Sequence, residues 1–357
     1  QAWWRLDQPG LVYTAKREGT TVRDEYTLLT NGSAVLNPEQ RAELDGQNQV
    51  FSRDGRRVLS IREGALLLRD RGDGSLRSLY SGLAPVTRAQ FSADESLAHF
   101  LIDGQWWWVS IAPTSRMAAY PLTDLRFERA PHDMGANELE KDQLRLFTTL
   151  ERLRREDEDE QEAAQDRAAA APAFGPAPMF LGDGLETVLS ALSRDGHYLL
   201  LAVRDRAKGK DNGAQDGQPD KMPHYVARSG YVDIEDVRPL VGRDGPRAQR
   251  LLLIDLAKRT QSKLSFSELS GVSDDPLAQL KKVQGIAQHD TANPRPLTIS
   301  RLLWHPELSR ALVQVRSIDN KDRWLLQVDA GDSSVVELDR QSDDAWSNPY
   351  QFNAIGW

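Results

Sequence analysis

The sequence has no cysteine, no long apolar run and no excess of basic residues. Without cysteine, the chain can neither form a disulfide nor bind a metal through thiolates. No stretch approaches the roughly 20 apolar residues that a membrane-spanning helix needs, so no such helix is expected. The formal net charge of −8 argues against nucleic-acid binding, because that binding depends on a basic surface.

The sequence does have a short phrase that recurs. It occupies residues 51–55, 91–95 and 192–196 as FSRDG, FSADE and LSRDG, with a looser copy, WHPE, at 304–307. An apolar run follows each copy, which is the pattern of a β-hairpin with a tight turn. The first two copies start 40 residues apart, a spacing typical of one propeller blade. The sequence therefore predicts an all-β fold: a β-propeller of about six to eight four-stranded blades, with an incomplete set as the alternative.

Two segments interrupt the repeat. Residues 136–171 place apolar side chains largely on one helical face and continue into a charged, alanine-rich stretch, so we expect a helical insertion between blades. Residues 204–223 are rich in Lys, Asp, Gly and Gln, and we expect a flexible loop there. A short surface helix is expected within 274–288. The prediction is one propeller domain over 1–357 that carries these segments.

Four places in the chain carry a more specific signal. They are the blade turns, the segment 142–150 leading to 180–182, the segment 222–238 (MPHYVARSGYVDIEDVR) and the segment 320–324 (NKDRW). Together they resemble the N-terminal half of bacterial serine peptidases of the prolyl oligopeptidase (S9) group, of the dipeptidyl-peptidase IV type. The resemblance spans most of the chain, and 222–238 is its most specific part. It implies a propeller placed over an α/β-hydrolase domain, where it restricts the peptides that reach the active site.

The chain lacks the signature of that hydrolase domain. The nucleophile of an α/β-hydrolase lies in Gly-x-Ser-x-Gly, followed by Asp and His, and no Gly-x-Ser-x-Gly is present. We therefore predict no catalytic residue, and a chain that by itself cleaves nothing. The resemblance implies a parent protein that is a serine-type exo- or oligopeptidase, with short peptides as ligands and a C-terminal α/β-hydrolase domain as partner. It also implies a homodimer as one arrangement and a periplasmic or secreted location, while the sequence itself leaves the compartment open.

An acidic pair, Glu235 and Asp236, is the candidate substrate site. With Arg228 and Arg238 nearby, the two carboxylates could hold the ammonium group at the free amino end of a peptide. The resemblance implies that role for an acidic pair on a propeller segment. The alternative is that the acids pair with the two arginines at the surface. Adjacent residues of a strand also point to opposite faces, which weighs against joint action.

No metal or cofactor site is predicted. The six histidines show no His-x-x-x-His spacing, and the acidic residues of 204–223 do not follow the spacing of an EF-hand. His99 lies in an apolar run, so we expect it to be buried with its hydrogen bonds satisfied. The triplet Trp106-Trp107-Trp108 is expected to pack between blades, with an aromatic binding platform as the alternative.

The last residues leave two hypotheses open. Residues 352–357 resemble a strand that precedes a blade turn, but no turn follows. In one hypothesis this strand closes the ring, and the chain is a self-contained propeller that serves as a protein–protein interaction scaffold, with the amphipathic helix 139–153 as its docking element. In the other, which we favour because a lone strand start leaves an unpaired edge, the chain is a piece of a longer peptidase and gates its substrates.

Overall fold

The computed structural model describes residues 2–4, 10–29, 32–37, 40–41, 47–113, 118–128, 175–206, 220–225, 231–237, 247–286, 293–343 and 356–357. Most of the regular structure in these ranges is strand, in five four-stranded sheets and two two-stranded sheets. Each four-stranded sheet is an antiparallel meander, consistent with a β-propeller-like fold. The predicted all-β fold with four-stranded blades is therefore confirmed. The helical insertion predicted at 136–171 lies outside the described residues.

The chain divides into two compact units. Unit 1 comprises Gln1–Gly182 with Arg194–Gly196, and unit 2 comprises Asp183–Ser193 with His197–Trp357. In its described part, unit 1 has three four-stranded sheets and a short parallel pair, β13–β14. Its strands are β1 (Ala2–Trp4), β2 (Leu11–Lys16), β3 (Arg23–Leu29), β4 (Gly32–Val35), β5 (Gln47–Phe51), β6 (Arg57–Arg62), β7 (Ala65–Asp70), β8 (Leu76–Tyr80), β9 (Arg88–Phe91), β10 (Leu97–Ile102), β11 (Gln105–Ser110), β12 (Ala119–Pro121), β13 (Leu125–Arg126) and β14 (Met179–Phe180).

The described part of unit 2 has two four-stranded sheets, ordered β15-β16-β19-β20 and β21-β22-β23-β24, and a separate hairpin, β17–β18. Its strands are β15 (Leu185–Leu192), β16 (Tyr198–Asp205), β17 (Asp220–His224), β18 (Asp233–Val237), β19 (Gln249–Asp255), β20 (Thr260–Leu264), β21 (Leu297–Trp304), β22 (Arg310–Ser317), β23 (Asp322–Asp329) and β24 (Val335–Ser342). The hairpin is thus an excursion between the second and third strands of the first sheet. It positions the predicted substrate site.

The expected surface helix is present as α1 (Ala278–Gln284), which buries none of its residues. It ends at Gly285, whose φ of +68° is a left-handed conformation that glycine adopts without strain. The N–H of Gly285 bonds to the carbonyls of Lys281 and Lys282, which closes the last turn. Within the described residues, no helix is long and apolar enough to cross a membrane.

The recurring phrase forms a specific hydrogen-bonded turn. In the first copy, the hydroxyl of Ser52 donates to Asp54 (2.7 Å) and accepts the N–H of Arg57 (2.8 Å). Gly55 has a φ of +68°, a conformation in which a side chain is strained. One buried hydroxyl therefore ties the end of β5 to the start of β6, and the glycine lets the chain reverse between them.

The next two copies repeat the arrangement. Ser92 donates to Asp94 (2.6 Å) and accepts the N–H of Leu97 (3.0 Å). Ser193 accepts the N–H of Tyr198 (2.9 Å). The three serines are all buried, and each hydroxyl satisfies a backbone N–H of the following strand.

The same turn also joins β22 to β23, where the sequence pattern did not predict it. Ser317 is fully buried and accepts the N–H of Asp322 (3.0 Å), while Asp319 accepts the N–H of Lys321 (3.1 Å). Asn320 occupies the left-handed position with a φ of +59°. Asparagine is one of the few side chains that tolerate this conformation, so it replaces the glycine.

The looser copy at 304–307 uses an imidazole in place of the serine hydroxyl. Nδ1 of His305 accepts the N–H groups of Glu307 (3.0 Å) and Leu308 (2.9 Å). In the neutral ring this assigns the proton to Nε2. Trp357 packs edge-on against His305, with ring centroids 4.8 Å apart.

Each unit has its own apolar core. In unit 1, β5–β12 contribute a buried cluster that includes Leu59, Phe91 and Phe100, all with no exposed surface. In unit 2, the two four-stranded sheets share a larger cluster that includes Val313 and Trp324. Burying side chains of this size stabilises the fold by about 1.5–3 kcal/mol each. The cores lie between sheets, as expected for meanders that bury their strand faces.

The ends of the loop predicted at 204–223 are strands. β16 extends to Asp205, where Arg250 pairs with the carboxylate, and β17 begins at Asp220. Residues 207–219 lie outside the described residues. The polar composition did not reveal these strands because both ends belong to exposed segments, where the hydrophobic pattern is weak.

Candidate functional site

The predicted substrate site lies on the hairpin of β17 and β18. The two strands pair antiparallel, with Met222 opposite Glu235 and Lys221 opposite Asp236. Within the described residues this hairpin is a separate two-stranded sheet. The side chains of residues 221–225 and 231–235 are exposed to solvent.

Glu235 is paired with His224 across the hairpin. Nε2 of His224 lies 2.8 Å from a carboxylate oxygen of Glu235, and both side chains are well exposed. An exposed pair of this kind contributes little to stability. Its consequence is orientation, because the imidazole holds one oxygen of Glu235, and among the described residues no hydrogen-bond donor meets the other.

The remaining predicted site residues are only partly placed. Asp236 belongs to β18, and Arg228 and Arg238 lie outside the described residues. Whether Glu235 and Asp236 bind an ammonium group or pair with the two arginines therefore stays open, and the substrate site stays a prediction. The partner found for Glu235, His224, was missed by the sequence analysis, because only the strand register brings residues 224 and 235 together.

The hairpin also presents apolar side chains to solvent. This feature is unusual for a two-stranded sheet, since scattered single apolar residues are the normal surface pattern. The exposed residues are Met222, Tyr225, Tyr231, Val232 and Ile234. A carboxylate surrounded by aromatic and aliphatic side chains suits a ligand that is itself amphipathic.

The tryptophan triplet is divided between core and surface. Trp106 is fully buried, whereas Trp108 is partly exposed and stacks on Tyr120 with ring centroids 4.8 Å apart. Tyr120 lies on β12, the edge strand of its sheet, and is about half exposed. The expected burial thus holds for Trp106. The stacked pair is the part of the triplet that a platform could use.

His99 lies in the same cross-strand row, opposite Trp108, and is only 4% exposed. Its Nδ1 has no hydrogen-bond partner in the described structure. The expectation that His99 is buried is therefore confirmed, but the expectation that its hydrogen bonds are satisfied is wrong. Burial lowers the pKa of His99 to about 4, although the negative charges of Asp94 and Asp195 act in the opposite direction.

A buried ion cluster in unit 2 was not anticipated by the sequence. The carboxylate of Asp322, which is 1% exposed, accepts hydrogen bonds from Arg295 (2.5 Å) and from Arg340 (2.9 and 3.0 Å). Arg295 also donates to the carbonyls of Gly271 (2.9 Å) and Val272 (3.2 Å). The cluster fastens the segment before α1 to the sheet β21–β24. Its members are far apart in sequence, so no local pattern could have revealed it.

The cluster extends to Asp319, which lies 3.0 Å from Arg295. Burial alone would raise the pKa of Asp319, but hydrogen bonds from Ser317 and from the N–H of Lys321, together with Arg295, outweigh it and lower the pKa. Desolvation opposes the charge of Arg295, yet Asp322 and Asp319 raise its pKa. Asp319 and Arg295 are therefore both ionised at neutral pH.

The described residues hold no group of three or more His, Asp or Glu side chains arranged to bind a metal ion. The hairpin offers an exposed carboxylate, and the cluster offers paired charges beside a cavity.

No protein-family model matches the chain, and no curated protein matches it. Solved structures do show similarity. One is dipeptidyl peptidase 4 from Porphyromonas gingivalis, at 11% identity and a TM-score of 0.42, over 93% of this chain and 38% of that chain. Another is a dipeptidyl aminopeptidase IV candidate from Bacteroides ovatus, at 11% identity and a TM-score of 0.37, over 96% and 37%. A third is TolB from Acinetobacter baumannii, at 12% identity and a TM-score of 0.35, over 94% and 54%.

The chain thus spans 37% and 38% of the length of the two peptidase structures and 54% of TolB.

Proposed function

We propose that the chain is a non-catalytic propeller domain that gates and positions short peptide substrates for an S9-type, dipeptidyl-peptidase-like serine peptidase. The blade-type sheets and the lack of a Gly-x-Ser-x-Gly support a scaffold rather than an active site. The observation that carries the proposal is the exposed carboxylate of Glu235 on the β17–β18 hairpin. It lies in the segment 222–238, where the resemblance to the peptidases is most specific.

The proposed mechanism is selection by charge. A carboxylate forms charge-assisted hydrogen bonds with the ammonium group at the free amino end of a peptide. His224 holds one oxygen of Glu235, which leaves the other to meet the ligand. Acetylated amino ends lack the charge and are not retained. A C-terminal α/β-hydrolase domain in the parent protein would supply the nucleophile.

The test compares a short peptide that has a free amino end with its N-acetylated form, in titrations followed by NMR. We expect Glu235→Gln to weaken binding of the free peptide about tenfold, since one charged hydrogen bond is worth roughly 1.5–3 kcal/mol. Binding of the acetylated peptide should not change. Glu268→Gln, an exposed glutamate of the same unit, is the matched control. Equal binding of both peptides, or no peptidase activity in a longer protein that includes an elbow serine, would remove the proposal's support.

The second candidate is a self-contained propeller that acts as a protein–protein interaction scaffold. The observation that favours it is the exposed apolar surface of the hairpin, which suits a second copy of the chain as partner. Sedimentation of the wild type and of a Met222→Ser, Ile234→Ser double variant tests this arrangement. A dimer that the double variant abolishes supports it, and a monomer at all concentrations contradicts it. Deletion of 136–171 tests the predicted docking helix in the same way.

A further inference from the structure

A cavity of about 210 Å³ opens beside the ion cluster of unit 2. It lies where α1 and residues 295–296 meet the turn between β22 and β23. Its lining residues are Asp275, Lys281, Arg295, Pro296, Ile318 and Asp319. Four of the six side chains are charged, two of each sign, and the other two are apolar.

The four charges form two ion pairs of opposite polarity. Asp275 is buried and lies 2.8 Å from Lys281, which is partly exposed. Arg295 is buried and lies 3.0 Å from Asp319, which is also partly exposed. The cavity therefore presents one cation, Lys281, and one anion, Asp319, on its accessible side. Each has a buried counter-charge behind it.

Both accessible charges keep bonding capacity for a ligand. The ammonium group of Lys281 has three donors, and the bond to Asp275 uses one of them. The carboxylate of Asp319 accepts from Ser317, from the N–H of Lys321 and from Arg295, and a carboxylate has about four acceptor positions, so one is left. The cavity can thus donate to an anionic group and accept from a cationic group at the same time.

The site is also preorganised. Arg295 is fixed by bonds to Asp322 and to the carbonyls of Gly271 and Val272. Asp319 is fixed by the hydrogen bonds of its turn. A ligand would therefore not have to order these groups, and that reduces the free-energy cost of binding.

We propose that this cavity binds a small zwitterion of the α-amino-acid class, with its carboxylate at Lys281 and its ammonium group at Asp319. A lone anion would be repelled by Asp275 and Asp319, and a lone cation by Lys281 and Arg295. A zwitterion satisfies both signs. Pro296 and Ile318 suit an apolar side chain.

Size sets the upper limit on the ligand. The cavity corresponds to about seven water molecules at the roughly 30 Å³ that each occupies in the liquid. Drug-sized ligands need pockets of about 300–1,000 Å³. A free amino acid such as leucine matches the smaller volume. This proposal does not depend on the peptidase proposal, because the cavity and the hairpin are separate places in unit 2.

The first experiment titrates the whole chain with three probes: L-leucine, N-acetyl-L-leucine and L-leucinamide. Calorimetry or NMR gives the affinities. We expect leucine to bind and each blocked analogue to bind about tenfold more weakly or worse, because each lacks one charge that the cavity recognises. A ligand with a millimolar dissociation constant has a binding free energy of ~4 kcal/mol, so the titration should extend to tens of millimolar leucine. If leucine does not bind in that range, the proposal is overturned. Equal affinity for all three probes would overturn it too.

The second experiment changes the cavity. Lys281→Met and Asp319→Asn should each weaken leucine binding by about tenfold, since each removes one charged partner. Lys282→Met and Asp274→Asn alter exposed charges of the same segment and should leave the affinity for leucine unchanged. Leucine affinity that is the same in the cavity variants and in the controls would overturn the assignment. If a cavity variant fails to fold, as shown by circular dichroism, the three-probe series on the wild type decides.

Discussion

Glu95 holds a left-handed backbone conformation, with a φ of +57°, and its carboxylate binds Arg57 at 3.1 Å. The same carboxylate accepts the N–H of Arg53 at 2.5 Å. In the first copy of the turn the equivalent position is Gly55, which adopts this backbone conformation without strain. Glu95 therefore has a strained backbone conformation, while its carboxylate links the turn at 91–95 to the turn at 51–55.

We expect Glu95→Gly to destabilise the protein although it relieves this strain. The relief is worth about 1–2 kcal/mol, whereas the charge-assisted bonds are worth roughly 1.5–3 kcal/mol, and glycine also makes the unfolded chain more flexible. The free energy of unfolding, measured by urea denaturation, should fall by about 1 kcal/mol. Glu95→Gln retains a hydrogen-bond acceptor, so it should lower the free energy of unfolding by less. A gain in stability for Glu95→Gly would show that strain dominates.

The turns were predictable where contiguous residues specify them. The copies at 51–55 and 91–95 each carry serine, aspartate and a left-handed residue in fixed order, and the hydrogen bonds follow that order. The turn at 317–322 uses the same serine and aspartate but has Asn320 in place of glycine. It lacks the aromatic residue before the serine as well. The hydrogen-bonded turn is the same, but its sequence differs from the recurring phrase, so the pattern did not predict it.

The sites were less predictable because they depend on tertiary contacts. Arg295 and Asp322 meet only after the segment before β21 folds back on β23, and Glu235 meets His224 only through strand register. His99 shows the limit of the hydrophobic pattern. Its burial follows from the apolar strand, but whether a partner faces its Nδ1 depends on neighbouring elements.

The second prediction concerns the hydroxyl of the turn. Ser92→Ala removes the buried hydroxyl that accepts the N–H of Leu97 and leaves this partly buried N–H without its partner. Such a loss costs about 1–3 kcal/mol, so we expect a lower midpoint of urea unfolding. Hydrogen bonds from Ser92, then Ser96, lower the pKa of Asp94 to about 2, and removing Ser92 should raise it. NMR titration of Asp94 measures that change.

Ser96→Ala is the matched control for this prediction. Its hydroxyl also bonds to Asp94, at 2.7 Å, but the contact is exposed. Exposed substitutions change stability by about 0.5 kcal/mol or less. If the two variants unfold at the same urea concentration, the buried hydroxyl does not fix the turn.

The third prediction is a loss of stability in mild acid that depends on His99. The folded state holds the pKa of His99 near 4, whereas the unfolded chain has the ordinary value of about 6.5. Between these values the unfolded chain binds the proton more readily, so the free energy of unfolding falls as the pH falls from about 6.5 to about 4. The full loss attributable to this group is roughly 3 kcal/mol.

His99→Leu should remove this part of the pH dependence, measured as the urea midpoint between pH 7 and pH 4. His197→Gln changes an exposed histidine and should keep the wild-type slope. An unchanged slope in His99→Leu would show that other groups cause the acid sensitivity. A shallower slope in both variants would show that the effect is not specific to the buried ring.

The last prediction concerns the carboxylate that joins two arginines. Asp322→Leu leaves the buried charge of Arg295 without its shortest ion pair, and a broken buried pair costs about 3–5 kcal/mol. We expect a drop of that size in the free energy of unfolding. Asp339 is an exposed carboxylate on β24, and Asp339→Ala should lower the free energy of unfolding far less.

Adding Arg295→Met to Asp322→Leu should recover part of the loss, because it removes the unpaired buried charge and leaves two apolar side chains to pack. A double variant less stable than Asp322→Leu would instead mean that the bonds of Arg295 to the carbonyls of Gly271 and Val272 contribute more than its charge costs.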